Sequence, residues 1–158
     1  MTKNRPWEQQ ELDNYGKDYC DSLYTRVKKH RTHGIITSMQ TDAWDIPRVA
    51  VACSSKQSPY IGERGRNCSD LIKPHPTLKA YYPSIRHERN MPTYPGEPHY
   101  SEGHCAEPHA AHKLLNEMEN AGRPIQIADI HFGKAYSVKN STVKPPCATC
   151  KQTFPQLR

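Results

Sequence analysis

The sequence predicts one α/β domain, because two segments with helical hydrophobic spacing alternate with three short segments rich in Val, Ala and Ile. A chain of 158 residues is long enough for a single modest hydrophobic core. We therefore treat residues 1–158 as one domain. It has an N-terminal helical part at residues 1–47 and a long insertion at residues 68–103.

The first predicted helix covers residues 6–31. Pro6 suits its first turn, and acidic side chains near its start and basic ones near its end both match the helix dipole. The apolar residues at three- to five-residue spacing are Trp7, Leu12, Tyr15, Tyr19, Leu23 and Val27. They form one stripe, which predicts packing on a core. The basic cluster at residues 26–31 either contacts phosphates or is a solvated helix end.

A β-hairpin is predicted next. Residues 48–53 form its first strand, residues 54–58 its turn, and residues 60–64 a second strand that pairs back on the first. Asn67 lies just beyond the second strand. By its residue type, Asn67 is as consistent with capping a loop next to Gly65 as with contacting a ligand.

The insertion at residues 68–103 is rich in proline, which disfavours both a regular helix and a central strand. A loop this long in a small domain is usually functional or disordered. Its aromatic and cationic side chains suit a single-stranded nucleic acid, or else the tyrosines fix the loop to a thin core. These side chains are Tyr81, Tyr82, Arg86, His87, Arg89, Tyr94, His99 and Tyr100.

The second helix is predicted at residues 105–121. Its apolar residues share one face, and Gly122 marks its end, with Pro124 beyond. These apolar residues are Ala110, Ala111, Leu114, Leu115, Met118 and Ala121.

After this helix, three isoleucines predict a strand, parallel to its predecessor if the helix is a crossover connection. They are Ile125, Ile127 and Ile130. Residues 133–144 predict a polar loop, and a last short helix opens at Cys147. Only eight residues follow Cys150. We therefore expect C-terminal strands to be missing and a sheet with as few as three strands.

Two motifs carry the chemistry of the chain. The first is Cys105-x-Glu107, and the second, forty residues later, is Pro146-Cys147-x-x-Cys150. Together they supply three thiolate ligands for zinc and a carboxylate that need not bind the metal, which leaves a coordination position for water. Cys147 and Cys150 are one helical turn apart, so both sulfurs can reach one ion.

These motifs resemble those of the cytidine deaminase-like superfamily, and in particular the bacterial toxin deaminases such as the YwqJ-like group. In related base deaminases a Val/Ala-rich strand, a hairpin and an Ile-Gly-Glu segment lead to an Asn that contacts the substrate. Here the matching residues are 49–52, 61–63 and Asn67. Cys105 stands where the superfamily often has His. The resemblance covers residues 48–150 apart from the insertion.

The resemblance implies an α-β-α sandwich with Zn²⁺ on the three cysteines. It implies that Glu107 takes a proton from water and passes it to the base and the leaving ammonia. Zinc would lower the pKa of that water toward ~7. The resemblance implies a substrate contact at Asn67, and we expect further substrate contacts at Tyr100, His104, Ala106 and Pro146. An alternative registry makes His104 itself a metal ligand.

The implied activity is hydrolytic deamination of a nucleic-acid base, most directly cytosine to uracil in single-stranded DNA, by a toxin or effector domain. RNA is the second choice of substrate. A net charge of +6 also favours a polyanionic partner. A toxin of this kind implies a cognate immunity protein, and electrostatic matching favours an acidic one.

Two other functions fit parts of the sequence. A metabolic cytidine deaminase fits Cys-Ala-Glu but lacks the upstream Asn-x-Glu nucleoside contact. A non-enzymatic zinc module fits if His104 or His131 completes the ligand set. A redox role for Cys147 and Cys150 is weaker, because no thioredoxin-like pattern precedes them.

The sequence contains no apolar signal-peptide core and no apolar stretch near the ~18 residues that a membrane span needs. The three cysteines outside the motifs, Cys20, Cys53 and Cys68, are odd in number and irregularly spaced, which favours a reducing setting. We expect the cytosol of the producing or target cell, without a membrane partner. Delivery as the C-terminal domain of a secreted toxin is consistent with this.

Overall fold

A computed structural model describes residues 1–32, 48–67, 75–79, 105–146 and 148–157. In this part of the chain helices pack on a six-stranded sheet, which confirms the mixed α/β class. The strands are β1 (Thr2–Lys3), β2 (Val49–Ser55), β3 (Tyr60–Arg66), β4 (Ile130–Phe132), β5 (Ala135–Ser137) and β6 (Val143–Lys144). The helices are α1 (Gln9–Thr32), α2 (Pro76–Lys79), α3 (Ala106–Asn120) and α4 (Ala148–Thr153), with 3₁₀ turns at Ile127–Asp129 and Pro155–Leu157.

Strand β2 lies at the centre of the sheet. The hairpin partner β3 pairs with one side of it, and β4 and β5 pair with the other side, all antiparallel. Strands β3 and β4 therefore point the same way, with β2 between them. The strand after α3 thus runs in the direction of its predecessor β3 without being its neighbour.

Helices α1 and α3 lie on opposite faces of the sheet, because side chains alternate along β2. Val51 and Cys53 pack in the core with Leu114 of α3. Ala50 and Ala52 point the other way and pack with α1. The sheet is therefore covered by helix on both faces within the described residues.

Strands β4 and β5 are two halves of one strand, interrupted by a β-bulge. The pairs on either side of the bulge are Phe132 with Cys53 and Tyr136 with Ala50. Residues 133–135 therefore face only residues 51–52, which is one residue too many for a regular ladder. The backbone N–H of Lys134 donates to Asp13 Oδ1 at 2.8 Å. The buried Asp13 of α1 thus satisfies a donor that the bulge turns out of the ladder.

Helix α1 begins at Gln9, three residues later than the sequence predicts. The preceding Trp7 lies against Gly62 of β3, and its indole N–H donates to the Tyr60 carbonyl at 2.9 Å. Of the predicted apolar stripe, Trp7, Leu12 and Leu23 are buried, Tyr15 and Tyr19 are half-buried, and the side chain of Val27 lies outside the described part. Cys20, which the stripe did not include, is also buried on this helix.

Helix α3 matches its prediction to within one residue at each end. Gly122 has φ +75°, the left-handed conformation that glycine adopts without strain, and this ends the helix. The backbone N–H of Arg123 then donates to the Met118 carbonyl at 2.9 Å, which satisfies one of the last carbonyls of the helix.

Three sequence predictions about the sheet are wrong. Residues 133–144 are not simply a polar loop, because they contain β5 and β6. The sheet consequently has six strands rather than three, with β1 at its other edge. Strands of two or three residues are too short to show an alternating pattern, which is why the sequence did not reveal them. The isoleucine strand begins only at Ile130, since Ile127 lies in a 3₁₀ turn.

The described part of the insertion, residues 75–79, contains a regular element, which the proline content of the insertion led us not to expect. Helix α2 is a single turn that begins at Pro76, a position where proline costs no hydrogen bond. After Cys150, the described residues 151–157 hold the end of α4 and a 3₁₀ turn but no strand. No described helix is long and apolar enough to cross a membrane.

Candidate functional site

The first half of the predicted metal motif forms the start of α3. Cys105 is the N-cap residue, with φ −70° and ψ 158°, and its side chain makes no capping hydrogen bond. Glu107 lies in the first turn and is only 5% exposed. The positive end of the helix dipole favours a thiolate at Cys105 and a carboxylate at Glu107.

The second half of the motif lies beside the first. Cys150 of α4 is fully buried, and its thiol donates to Glu107 Oε2 across 3.5 Å. The two residues are 43 positions apart in the sequence. The fold therefore brings one cysteine of the Cys-x-x-Cys motif into contact with the carboxylate of the Cys-x-Glu motif, as the sequence analysis requires.

Packing of the residues after Cys150 holds α4 in this position. Phe154 is fully buried and meets Phe132 of β4 edge to face, with ring centroids 4.9 Å apart. The side-chain amide of Gln156 donates to the carbonyls of Ile127 and Ile130, at 2.8 Å each. The short C-terminal segment thus fixes Cys150 against the sheet on the same face as α3.

Gly65 of β3 sets the position of the first turn of α3. A Cβ atom at residue 65 would lie 2.7 Å from the Ala106 carbonyl oxygen and 2.8 Å from the Ala110 Cα. Both are backbone atoms, so the contact could not be relieved by a change of rotamer. The absence of a side chain at Gly65 lets the helix turn that carries Glu107 rest directly on the strand.

Two of the three predicted zinc ligands, Cys105 and Cys150, lie within the described residues. Both carry thiols rather than a disulfide, and Cys105 packs against the core cluster that contains Cys150. Thiolates are among the ligands that zinc binds in proteins, and a catalytic zinc site keeps one coordination position open for water. Cys147, the third predicted ligand, lies outside the described residues, and within those residues alone no group of three ligands forms.

The predicted substrate contacts fall into two groups. Ala106 is buried at the start of α3, and Pro146 is half-buried two residues before α4. Tyr100 and His104 lie outside the described residues, so the alternative registry with His104 as ligand stays a prediction.

Asn67 has a structural role that the sequence analysis had weighed against substrate binding. Its Oδ1 accepts the backbone N–H groups of Arg48 at 2.6 Å and Val49 at 2.8 Å. These bonds close the open end of the β2–β3 hairpin. A substrate contact by Asn67 stays a prediction, with the side-chain carbonyl already engaged in holding the backbone.

His131 lies on the opposite face of the sheet from Cys150, which argues against it as a fourth ligand. It pairs with Ser54 of β2 and therefore points to the α1 face of the sheet, where its Nε2 bonds Gln9 Oε1 at 2.8 Å. Cys150 packs on the other face. Burial lowers the pKa of His131, so the neutral ring is favoured at this position.

The structure also joins α2 to α3 through two histidines that the sequence analysis missed. The buried His75 bonds Glu119 Oε2 through its Nε2 at 2.7 Å, and its Nδ1 accepts the Thr77 backbone N–H at 3.2 Å. The His75 backbone N–H donates to His112 Nδ1 at 3.0 Å. No sequence signal marks this cluster, because its members come from the insertion and from the polar side of α3.

Comparisons with known proteins give no match to the chain among family models, curated proteins or solved structures. The chemistry of the site therefore has to be inferred from its own residues.

Proposed function

We propose that this protein is a zinc-dependent hydrolase that deaminates a nucleic-acid base. Cytosine in single-stranded DNA is the first choice of substrate and RNA the second. The observation that carries the proposal is the contact between the buried Glu107 carboxylate and the Cys150 thiol. A buried carboxylate beside a metal-ligand cysteine is the arrangement that a zinc deaminase needs for proton transfer.

The order and packing of the elements support the same function. A hairpin, a helix opening with Cys-Ala-Glu, a strand and a short helix carrying Cys150 follow one another in the order that the deaminase resemblance implies. Helices α1 and α3 cover opposite faces of the sheet, as an α-β-α sandwich requires. The finer assignment to the cytidine deaminase-like fold is part of this proposal.

In the proposed mechanism Cys105, Cys147 and Cys150 would hold a zinc ion, which would supply a water molecule of lowered pKa. Glu107 takes one proton from the attacking water and delivers it to a ring nitrogen of the base, while the water oxygen forms the new bond to C4 of cytosine. Glu107 then takes the second proton from the hydroxyl group now on C4 and passes it to the amine, so that the C4–N bond breaks, the C4 carbonyl forms and ammonia leaves. Burial keeps bulk water away from the carboxylate and so keeps these protons within the site.

The biological role that we propose is that of a toxin or effector domain acting in the cytosol of a target or producing cell. The net charge of +6 supports a polyanionic substrate. An acidic immunity protein that covers the site is the expected partner, since opposite charge speeds and orients association. If the protein bound an inhibitor without acidic surface groups as tightly as an acidic one, this part of the proposal would be contradicted.

The test is turnover by zinc-loaded protein on single-stranded DNA, duplex DNA, single-stranded RNA, cytidine and adenosine. Glu107→Gln should lower the rate by about 10²–10⁴-fold while the zinc content stays at one ion per chain. Glu117→Gln is the matched control, because Glu117 is an exposed acid on the same helix. Its activity should stay within twofold of the wild type.

Each outcome selects one function. Base conversion in a polymer that disappears only with Glu107→Gln supports the proposal and identifies the substrate. Conversion of cytidine alone moves the protein to nucleoside metabolism. Bound zinc without conversion of any substrate, and a silent Glu107→Gln change, leaves a structural zinc module.

A further inference from the structure

Cations lie on both faces of the sheet at β3: Arg64 and Arg66 belong to the α1 face, whereas Lys113 belongs to α3, the helix that carries Glu107. Arg64 and Arg66 flank Gly65, the residue on which the first turn of α3 rests. Lys113 of α3 reaches the same strand, where its Nζ donates to the Arg64 carbonyl at 3.1 Å. We call Arg64, Arg66 and Lys113 the edge strip.

Arg64 is held in a fixed orientation by two aromatic rings. Its guanidinium carbon lies 4.5 Å from the ring centroid of Tyr15 and 4.9 Å from that of Tyr19. The two tyrosines are one turn apart on α1, so both rings can contact one planar group. Stacking of this kind orients a guanidinium while its N–H donors stay in the plane, which suits an incoming phosphate.

Among the described residues, Lys3 and Arg5 are paired with a carboxylate, whereas Arg64 and Lys113 form no such pair. Glu11 binds Lys3 and Arg5, each at 2.6 Å, and these cations hold the pKa of its carboxyl well below the usual range. Within the described residues no carboxylate pairs with Arg64 or Lys113.

The acidic residue of β3 is directed away from the guanidinium of Arg64. Glu63 pairs with Cys53, whose side chain faces α3, whereas Arg64 pairs with Ala52 on the α1 side. Glu63 therefore does not balance the positive charge of Arg64, because the two side chains lie on opposite faces of the sheet.

We propose that the edge strip binds the phosphodiester backbone of a single-stranded nucleic acid where the strand passes around the edge of the sheet, from the α1 face to the α3 face that carries Glu107. The choice of a single strand rests on the proposed function, since the target base must leave its stack to reach a deaminase site. The edge strip adds specific residues to that function, in a part of the chain where the sequence analysis predicted only a hairpin strand.

The test is binding, measured apart from turnover. A fluorescein-labelled oligodeoxynucleotide of about 20 nucleotides is titrated with zinc-loaded Glu107→Gln protein while its anisotropy is followed at several salt concentrations. Adding Arg64→Gln should weaken binding by about 5–10-fold and reduce the slope of log K against log salt by about 0.7. Lys113→Gln should act in the same direction, and it tests the edge strip even if loss of the Arg64 stacking harms folding.

Arg123→Gln is the matched control. Arg123 is exposed and lies beyond the C-terminal end of α3, whereas the candidate site lies at the other end. The affinity of the Arg123→Gln variant for the oligodeoxynucleotide should stay within twofold of that of the parent protein. Equal effects of Arg64→Gln and Arg123→Gln would overturn the proposal, and so would no effect of either Arg64→Gln or Lys113→Gln.

Two further results separate the edge strip from the proposed function. If Arg64→Gln impairs binding but no substrate is ever deaminated, the edge strip stands and the deaminase proposal falls. If polymer is deaminated and Arg64→Gln leaves its KM unchanged, the deaminase stands and the edge strip falls. Duplex DNA of the same sequence that binds as tightly, with the same dependence on Arg64, would overturn the assignment to a single strand.

Discussion

Glu107 and Gly65 show how much of the candidate site depends on single residues. A carboxylate with 5% of its surface exposed is costly unless polar partners surround it, and Cys150 supplies one of them. That contact exists only while the first turn of α3 sits close to the sheet. Gly65 permits this close approach. The absence of a side chain at Gly65 therefore controls the position of the Glu107 carboxylate.

Gly65→Ala should destabilise the protein by about 1–3 kcal/mol, because the added methyl group would overlap the backbone of α3. Displacing that turn should also remove most of the turnover. Urea unfolding and the deamination assay measure the two effects.

Gly122→Ala provides the control for this prediction. A Cβ atom at residue 122 meets nothing within 4 Å, but its φ of +75° makes alanine strained by about 1 kcal/mol. Stability should therefore fall while activity per folded molecule is kept. A Gly65→Ala protein with full activity would contradict the role assigned to Gly65.

At the scale of elements, α2 is a single turn that depends on α3 for its position. An isolated turn of four residues does not form a stable helix in water. The bonds from the His75 backbone and side chain to His112 and Glu119 hold it. Because His112 Nδ1 accepts a backbone N–H, this connection requires the unprotonated ring.

The stability of the protein should therefore fall as the pH drops below the ordinary histidine range. Burial and the electrostatic effect of the neighbouring His75 and Lys113 side chains lower the pKa of His112 in the folded state. The unfolded chain then binds more protons below pH ~6.5, so acid favours unfolding, and this contribution is fully present above that pH.

His112→Asn should reduce this pH dependence, since asparagine can accept the same backbone hydrogen bond without titrating. Urea unfolding between about pH 5 and 8 gives the measurement, and the half-buried His131, whose pKa is also lowered, leaves a residual slope in the variant. If the free energy of unfolding of His112→Asn depended on pH as steeply as that of the wild type, another titrating group would be responsible for the pH dependence.

The elements that the sequence predicted are those with strong internal patterns. Helices α1 and α3 have long amphipathic stripes, and the end of α3 at Gly122 follows from the conformational freedom of glycine. The β4–β5 bulge was not predictable, because it depends on Asp13, which lies more than a hundred residues away. Within the site, the meeting of Glu107 with Cys150 was anticipated, whereas the part that Gly65 plays depends on a backbone approach that no local pattern encodes.

At the scale of the whole molecule, the candidate metal centre joins two parts of the chain that otherwise meet through core packing. A zinc ion held by Cys105 and Cys150 would bind α3 to α4. Ligand binding to the folded state alone adds RT ln(1 + [L]/Kd), which is about 2.7 kcal/mol at a hundredfold excess over Kd. Zinc should therefore raise the melting temperature of the wild type by about 5–10 °C over the chelated protein.

Cys150→Ala should abolish this zinc-dependent shift, and Glu107→Gln should keep it. Cys20→Ala is the matched control, because Cys20 is equally buried but lies under α1, where its thiol donates to the Ser137 carbonyl. The Cys20→Ala change should lower stability without altering the metal ligands. Zinc should therefore raise the melting temperature of this variant by as much as it raises that of the wild type. If zinc raised the melting temperature of Cys150→Ala by as much as that of the wild type, the ion would have to bind at another site.

The separation of 43 residues between Glu107 and Cys150 has a consequence for folding order. Contacts between distant parts of a chain form only after loop closure, so they come late compared with local helices and hairpins. Cys105 is therefore far from Cys150 in an unfolded or partly translated chain, which cannot hold the ion in its working geometry. The proposed enzyme would thus become active only at the end of folding, and under the proposed toxin role a chain delivered unfolded would stay inactive until it refolds.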